Sequence, residues 1–198
     1  MSVHIDAIQS ILRERNGYIT AMQTTNAGIP RRCLGEMVAS GEIYQVGRGI
    51  YALPEVWEDE MYFLQYRYSK GIFSHGTALY LHGMTDRTPH SYTMTFPRGY
   101  NTGGAKAQGV IAKVASSELY EMGMTEMASP CGNPLKVYDV ERTLCDIVRG
   151  KNADDIQLVN QAMKVYAVSK KKDIAKLFGY AEKLRVKSKI VRYMEVLL

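Results

Sequence analysis

The apolar positions change period several times along the chain, and those changes divide it. Ile5, Ile8, Ile11 and Leu12 recur at helical spacing, which predicts an amphipathic helix over about 3–15. Asn16-Gly17 is a stop signal, and Tyr18-Ile19 fits a very short strand. Thr20 followed three residues later by Gln23 has the capping-box pattern, so a second helix is expected from about 21 to 27, ended by Gly28. Pro30 suits the first turn of a third helix, where its missing N–H would have been unpaired anyway. Leu34, Met37 and Val38 supply that helix's buried stripe, and Ser40-Gly41 ends it. The β-prone runs 43–46 and 50–53 flank Gly47-Arg48-Gly49, the pattern of a hairpin, and Pro54 closes the module.

Beyond Pro54 the pattern is different. Trp57, Met61, Leu64 and Tyr68 predict a helix over 57–69, Ile72-Phe73 a strand end, and Ser74 the cap of a helix running to Leu81. Residues 91–96 alternate, with Tyr92, Met94 and Phe96 on one face, as in a half-buried strand. Asn101-Thr102-Gly103-Gly104 reads as a turn or flexible loop. Further strands are expected at 110–115, 124–128 and 135–138, and then Asp139 caps a helix with Val140, Leu144, Ile147 and Val148 inside. From 152 onward three apolar stripes give helices: Ile156, Val159, Met163 and Tyr166; then Ile174, Leu177, Phe178, Ala181 and Leu184; then Ile190, Val191, Met194 and Leu197. The fold class is α+β: an N-terminal winged helix-turn-helix over 1–54, then a mixed α/β domain over 55–198 with a basic, helical C-terminal end. No internal repeat is visible.

Composition narrows the class. Of the 198 residues 46% are hydrophobic, enough for a packed core and too many for a disordered chain. No apolar run approaches the roughly 20 residues of a membrane span, and the first residues lack a signal peptide's basic and apolar regions, so a cytoplasmic protein is expected. Cys33, Cys131 and Cys145 are widely spaced without a C-x-x-C pair, and read as reduced thiols packed as small side chains. The net charge of +5 is unevenly spread: +1 over 1–54, −2 over 55–150 and +6 over 151–198. A basic end attracts nucleic acid or forms solvated helix faces.

In a helix-turn-helix the third helix enters the major groove, with its N-terminal residues near base edges. Here those residues are Arg31 and Arg32, and arginine suits both guanine O6/N7 and phosphate. Arg48, alone between two glycines at the wing tip, suits a minor groove or a phosphate. Gln23 and Thr24 on the second helix are candidates for phosphate contact, the competing role being local capping. Near the C-terminus Lys170, Lys171 and Lys172 lead a set of lysines interleaved with the apolar stripes. Solvated outer faces and a second DNA-backbone surface both remain open for them.

Other chemistry is thinner. His75, His82 and His90 match no zinc spacing. Asp139 with Glu141 could hold Mg²⁺ in a nuclease-like site, but an Asp139 N-cap and an Arg142–Asp146 pair at i, i+4 explain the same residues. There is no phosphate-binding loop, nucleophile elbow or H-E-x-x-H, so neither an enzyme nor a cofactor is expected, and no metal site is assigned. The competing readings are a repressor whose second domain binds a small effector, and a nuclease-related enzyme.

At Phe73-Ser-His-Gly-Thr-Ala-Leu-Tyr-Leu-His-Gly-Met-Thr-Asp-Arg-Thr-Pro89 the chain resembles the AbiEi family, the antitoxins of abortive-infection, type IV toxin–antitoxin systems. A second block, Val137-Tyr-Asp-Val-Glu-Arg-Thr-Leu-Cys-Asp-Ile-Val-Arg149, and the run from Tyr92 through Pro97 to Asn101 fit the same family. The resemblance implies a winged helix that represses the protein's own operon at inverted repeats in duplex DNA. It also implies a C-terminal domain that counters a cognate nucleotidyltransferase-like toxin without a stable complex. It assigns no antitoxic residue in the second domain.

Overall fold

The computed structural model describes residues 2–149 and 155–197. The chain divides into two compact units, Met1–Tyr66 with Ala128–Asn133, and Arg67–Met127 with Pro134–Leu198. The architecture is mixed α and β: N-terminal helices and strands, then an α/β domain, then C-terminal helices.

The first unit begins with α1 (Ser2–Glu14), β1 (Tyr18–Thr20), α2 (Ala21–Asn26) and α3 (Arg32–Ala39), followed by β2 (Tyr44–Gly47) and β3 (Ile50–Ala52). The three strands form an antiparallel sheet in the order β1-β3-β2. Ile8 and Leu12 of α1 meet Ile19, Ile29, Leu34, Met37 and Ile43 in one buried cluster. The capping box at Thr20 forms as the spacing predicts. Thr20 Oγ1 accepts from the Gln23 N–H at 3.1 Å, and Gln23 Oε1 accepts from the Thr20 N–H at 2.8 Å.

Two details of α3 differ from expectation. Pro30 lies before the helix, where its carbonyl accepts from the Cys33 N–H at 3.0 Å. The buried stripe is Cys33, Leu34 and Met37, whereas Val38 is 37% exposed. A helix entered at Arg31 turns position 33 inward and carries position 38 past the edge of the core-facing stripe.

The first unit also continues past Pro54. Tyr18 is buried, its ring packs on Tyr62 at 5.6 Å and Phe63 at 5.7 Å, and its hydroxyl donates to the Trp57 carbonyl. Helix α4 (Glu60–Arg67) therefore contributes core to the winged helix. Trp57, expected inside that helix, precedes it and is 86% exposed. The buried carboxylate of Asp59 holds Ala128–Asn133 in place: it accepts from the Ser129 hydroxyl, from Asn133 Nδ2 at 2.9 Å and, through its other oxygen, from the Tyr62 N–H at 3.0 Å.

The second unit is built on a five-stranded mixed sheet. Its elements are β4 (Ile72–Phe73), α5 (His75–Leu81), β5 (Thr93–Pro97), α6 (Gly103–Ala107), β6 (Ile111–Ala115), α7 (Ser117–Glu121), β7 (Met124–Ala128), β8 (Pro134–Tyr138) and α8 (Val140–Ile147). The strand order is β6-β5-β4-β8-β7, with β5 parallel to β6, β4 parallel to β8 and β4 antiparallel to β5. Strand β5 is buried on both faces from Thr93 to Phe96, where alternation predicted one wet face. Its threonines are covered because Thr95 Oγ1 donates to Ser74 Oγ at 2.9 Å and the Thr93 N–H donates to Thr77 Oγ1 at 2.9 Å. Gly103-Gly104, expected in a loop, opens α6, and α7 went unread because it has only five residues.

Three helices follow: α9 (Ile156–Val168), α10 (Ile174–Lys183) and α11 (Lys187–Leu197). They pack with α8 around Leu144, Val159, Met163, Leu177, Ile190 and Met194. Ile156, expected in the buried stripe, is 60% exposed. The helical reading from 152 and the end of the 55–198 domain include 150–154 and 198, which lie outside the described residues.

Candidate nucleic-acid interface

The turn between α2 and α3 is tight because backbone bonds close it. The Ala27 N–H reaches the Gln23 carbonyl at 2.9 Å, and the Ile29 N–H reaches that of Thr24 at 3.0 Å. Gly28 takes a φ of +70°, a conformation glycine adopts without steric cost. Ile29, 5% exposed, pins the turn to the core.

Helix α3 then starts without a side-chain cap: Arg31 occupies the N-cap and makes no capping bond. Both Arg31 and Arg32 are exposed. Two guanidiniums beside an uncapped helix start form an electropositive feature suited to an anionic backbone. The Arg31 Nε donates to Thr25 Oγ1 at 2.8 Å, and the Thr25 hydroxyl donates to the Ala21 carbonyl at 2.9 Å. Thr25 thus orients Arg31, a role absent from the sequence reading, because the contact bridges six positions across a turn and has no periodic signature.

The wing is short and anchored. A register shift between Gln45 and Gly47 precedes the turn, and Gly49 there has a φ of +77°. The Gly49 carbonyl accepts from the Ala21 N–H at 2.9 Å, which ties the wing turn to the start of α2. Arg48, exposed in that turn, is brought close to the helix that carries Gln23.

The other named residues are placed differently. Gln23 is half-buried with its oxygen committed to the capping box. Thr24 is fully buried and its hydroxyl donates to the Thr20 carbonyl at 3.0 Å, so it packs the helix and presents no surface to a phosphate. Lys170, Lys171 and Lys172 lie in the link between α9 and α10, in the second unit. Lys170 and Lys171 are exposed, and Lys172 Nζ donates to the Ser169 carbonyl at 3.4 Å.

The carboxylates that could suggest a metal site, Asp139, Glu141 and Asp146, are engaged in capping and pairing. Asp139 caps α8, accepting from the Arg142 N–H at 2.8 Å, and pairs with Lys176 at 3.0 Å. Glu141 accepts from the Tyr166 hydroxyl at 3.1 Å and meets Lys176 at 3.3 Å. Burial disfavours the Lys176 ammonium, but the hydrogen bond and charge of Asp139, with Glu141, outweigh it and raise its pKa. The Arg142–Asp146 pair forms at 2.9 Å and is almost wholly buried.

The histidines have separate surroundings. His82 Nε2 lies 2.7 Å from the Tyr138 carbonyl, His90 is exposed, and His75 has a left-handed φ of +53° with Nδ1 3.2 Å from Ser74 Oγ. Burial, then the charges of Lys113, Arg142 and Arg149, push the His75 pKa down to about 3. Among the described residues no cluster of three or more His, Cys, Asp or Glu side chains is arranged to hold a metal. No helix of the described residues is long and apolar enough to cross a membrane.

A helix-turn-helix followed by an antiparallel hairpin, with arginines at the start of its last helix, defines the winged-helix class. Residues 6–54 match the family model described as transcriptional regulator, AbiEi antitoxin. The resemblance read from the sequence is borne out over this module; the blocks 73–89 and 137–149 lie beyond the matched segment. The matched family is one of transcriptional regulators. No curated protein matches the chain. Among solved structures, the RV2827C protein from Mycobacterium tuberculosis is similar at 14% identity, over 96% of this chain and 79% of that chain, with a TM-score of 0.47.

Proposed function

We propose that this protein is a DNA-binding autorepressor and the antitoxin of a type IV, abortive-infection toxin–antitoxin system, active in the cytoplasm. Its partners are duplex DNA at inverted repeats in its own promoter and a nucleotidyltransferase-like toxin, neutralised without a stable complex. Repression belongs to the winged helix at 1–54 and neutralisation to the domain at 55–198. The observation carrying the DNA reading is the exposed pair Arg31 and Arg32 at the uncapped start of α3, in a module matching the AbiEi regulator model. Arg48 extends the surface from the wing. Gln23 adds a contact through its amide nitrogen, which has no partner among the described residues. Lys170, Lys171 and Lys172 add backbone contacts through the second unit.

Phosphate contacts set affinity and base contacts set specificity, so Arg32 and Arg31 are the residues whose loss changes sequence preference. The deciding experiment is footprinting of the full-length protein on the promoter upstream of its own gene. It is to be combined with growth rescue when the adjacent gene, a nucleotidyltransferase on this reading, is expressed. A protected inverted repeat with rescue supports both functions. Absence of protection removes the repressor reading, and toxicity that persists removes the antitoxin reading.

A further inference from the structure

An apolar groove of about 620 Å³ lies between α9 and α11, within the second unit. Val148, Val159 and Leu197 line it, and three cations stand around it: Lys164 on α9, and Lys189 and Arg192 on α11. Among the described residues that line it there is no carboxylate. Lys189 Nζ is spent on the Val148 carbonyl at 2.7 Å. Lys164 and Arg192 are exposed and meet no acid or other hydrogen-bond partner among the described residues.

Small-molecule sites are concave, mostly apolar and marked by a few polar groups that fix orientation, with volumes of roughly 300–1,000 Å³. This groove has that size and composition, and the charged groups among its described lining residues carry one sign. A second copy of the chain is a poor occupant, because apposing the same face would set cations against cations. Duplex DNA would neutralise the cations but leave the apolar floor uncovered, since a phosphate backbone brings no hydrocarbon to it.

We propose that the groove binds a small amphiphilic carboxylate, its hydrocarbon chain lying along the floor between α9 and α11 and its carboxylate meeting Lys164 and Arg192. The ligand is distinct from the DNA and the toxin of the proposed function, and the site does not depend on either.

Isothermal titration of the full-length protein tests this with decanoate below its micelle concentration, beside acetate, which has the head without the chain, and decylamine, which has the chain with the opposite charge. Saturable decanoate binding at one site is expected, with no acetate binding and decylamine weaker by about tenfold or more. In Lys164→Glu/Arg192→Glu the order of decanoate and decylamine should invert, while circular dichroism stays unchanged because both side chains are exposed. Should the variant fail to fold, the head-group comparison on the wild-type protein decides alone. No saturable decanoate binding, or equal binding of both amphiphiles to the wild-type protein, overturns the proposal. So does a folded variant that keeps the wild-type order, or stoichiometric displacement of decanoate by duplex DNA.

Discussion

Arg142→Met isolates the largest electrostatic commitment in the second unit. Arg142 is 1% exposed; its Nε donates to Asp146 at 2.9 Å, one terminal nitrogen serves the carbonyls of Leu119 and of Met122, the latter at 2.8 Å, and its guanidinium lies 4.2 Å from the centre of the Tyr138 ring. Methionine roughly keeps the length and the packing but withdraws every donor. Removing one partner of a buried ion pair costs about 3–5 kcal/mol, because the other charge stays in a low dielectric. Each carbonyl deprived of its donor adds about 1 kcal/mol, the low end of the range, since Leu119 and Met122 are half-buried and water reaches them. The expected loss is roughly 5–7 kcal/mol, a large part of the roughly 5–15 kcal/mol that holds an ordinary domain together. Urea denaturation followed by far-ultraviolet circular dichroism at neutral pH measures it. Arg142→Met/Asp146→Leu, which also removes the stranded carboxylate, should recover a substantial part of the loss. A single variant less than about 1.5 kcal/mol below wild type, or a double variant worse than the single, refutes the reasoning.

Three further outcomes are expected. Arg31→Ala/Arg32→Ala should weaken operator binding by about 1–3 kcal/mol for each arginine that reads a guanine, with an unchanged circular dichroism spectrum; unaltered gel-shift affinity removes α3 from the interface. Lys170→Ala/Lys171→Ala/Lys172→Ala should flatten the dependence of log affinity on log salt by about 0.9 for each phosphate these lysines neutralise, and an identical slope returns them to solvated surface. The His75 pKa, pushed down to about 3 in the fold from an ordinary 6.5, means the unfolded chain binds the proton more readily. The stability it contributes is complete above pH 6.5 and is lost as pH falls from there towards 3. His75→Asn, which tolerates the left-handed φ, should therefore lose less stability than wild type between pH 7 and pH 5, and parallel pH curves would show that His75 does not titrate this way.

What the sequence disclosed follows the reach of its signals. The capping box, the hairpin glycines, the Asp139 cap and the Arg142–Asp146 pair all span a few residues, and all form. Features decided by distant partners were illegible. Thr93 and Thr95 look like a wet strand face until Ser74 and Thr77 cover them. Thr24 looks like a surface hydroxyl until its place under the helix is seen. Pro54 ends the hairpin pattern, yet the core of the first unit runs on, because Tyr18 buries its ring against Tyr62 and Phe63 and Asp59 gathers in Ser129 and Asn133 from some seventy residues further along. Hydrophobic periodicity reports one element's face and says nothing about which remote segment covers it. Among the candidates, the exposure of Arg31 and Arg32 was legible because helix spacing puts them outside the apolar stripe, and that of Arg48 because two glycines flank it in the hairpin turn, whereas Thr25 on α2 carried no signal of its bond to Arg31.

The block 137–149, one of the two that carry the family resemblance, has a physical explanation in the fold itself. Every residue of it from Glu141 to Val148 is buried, the charged ones included. Asp139 caps α8, Glu141 anchors Tyr166, and Arg142 gathers Asp146 with the carbonyls of Leu119 and Met122. Burying three charged side chains in one helix is costly unless each has its partners, and here each has. Substitution within the block is therefore constrained by packing and charge satisfaction whether or not it touches a ligand. The antitoxic surface we propose for the second domain must instead be made of residues that water reaches, and α8 offers almost none. The exposed faces of α9, α10 and α11 offer many, Lys164, Lys183 and Arg192 among them. A scan for lost toxin rescue is thus best directed at those helices, and a loss caused by changing Glu141 or Asp146 reports unfolding until the variant's circular dichroism shows otherwise.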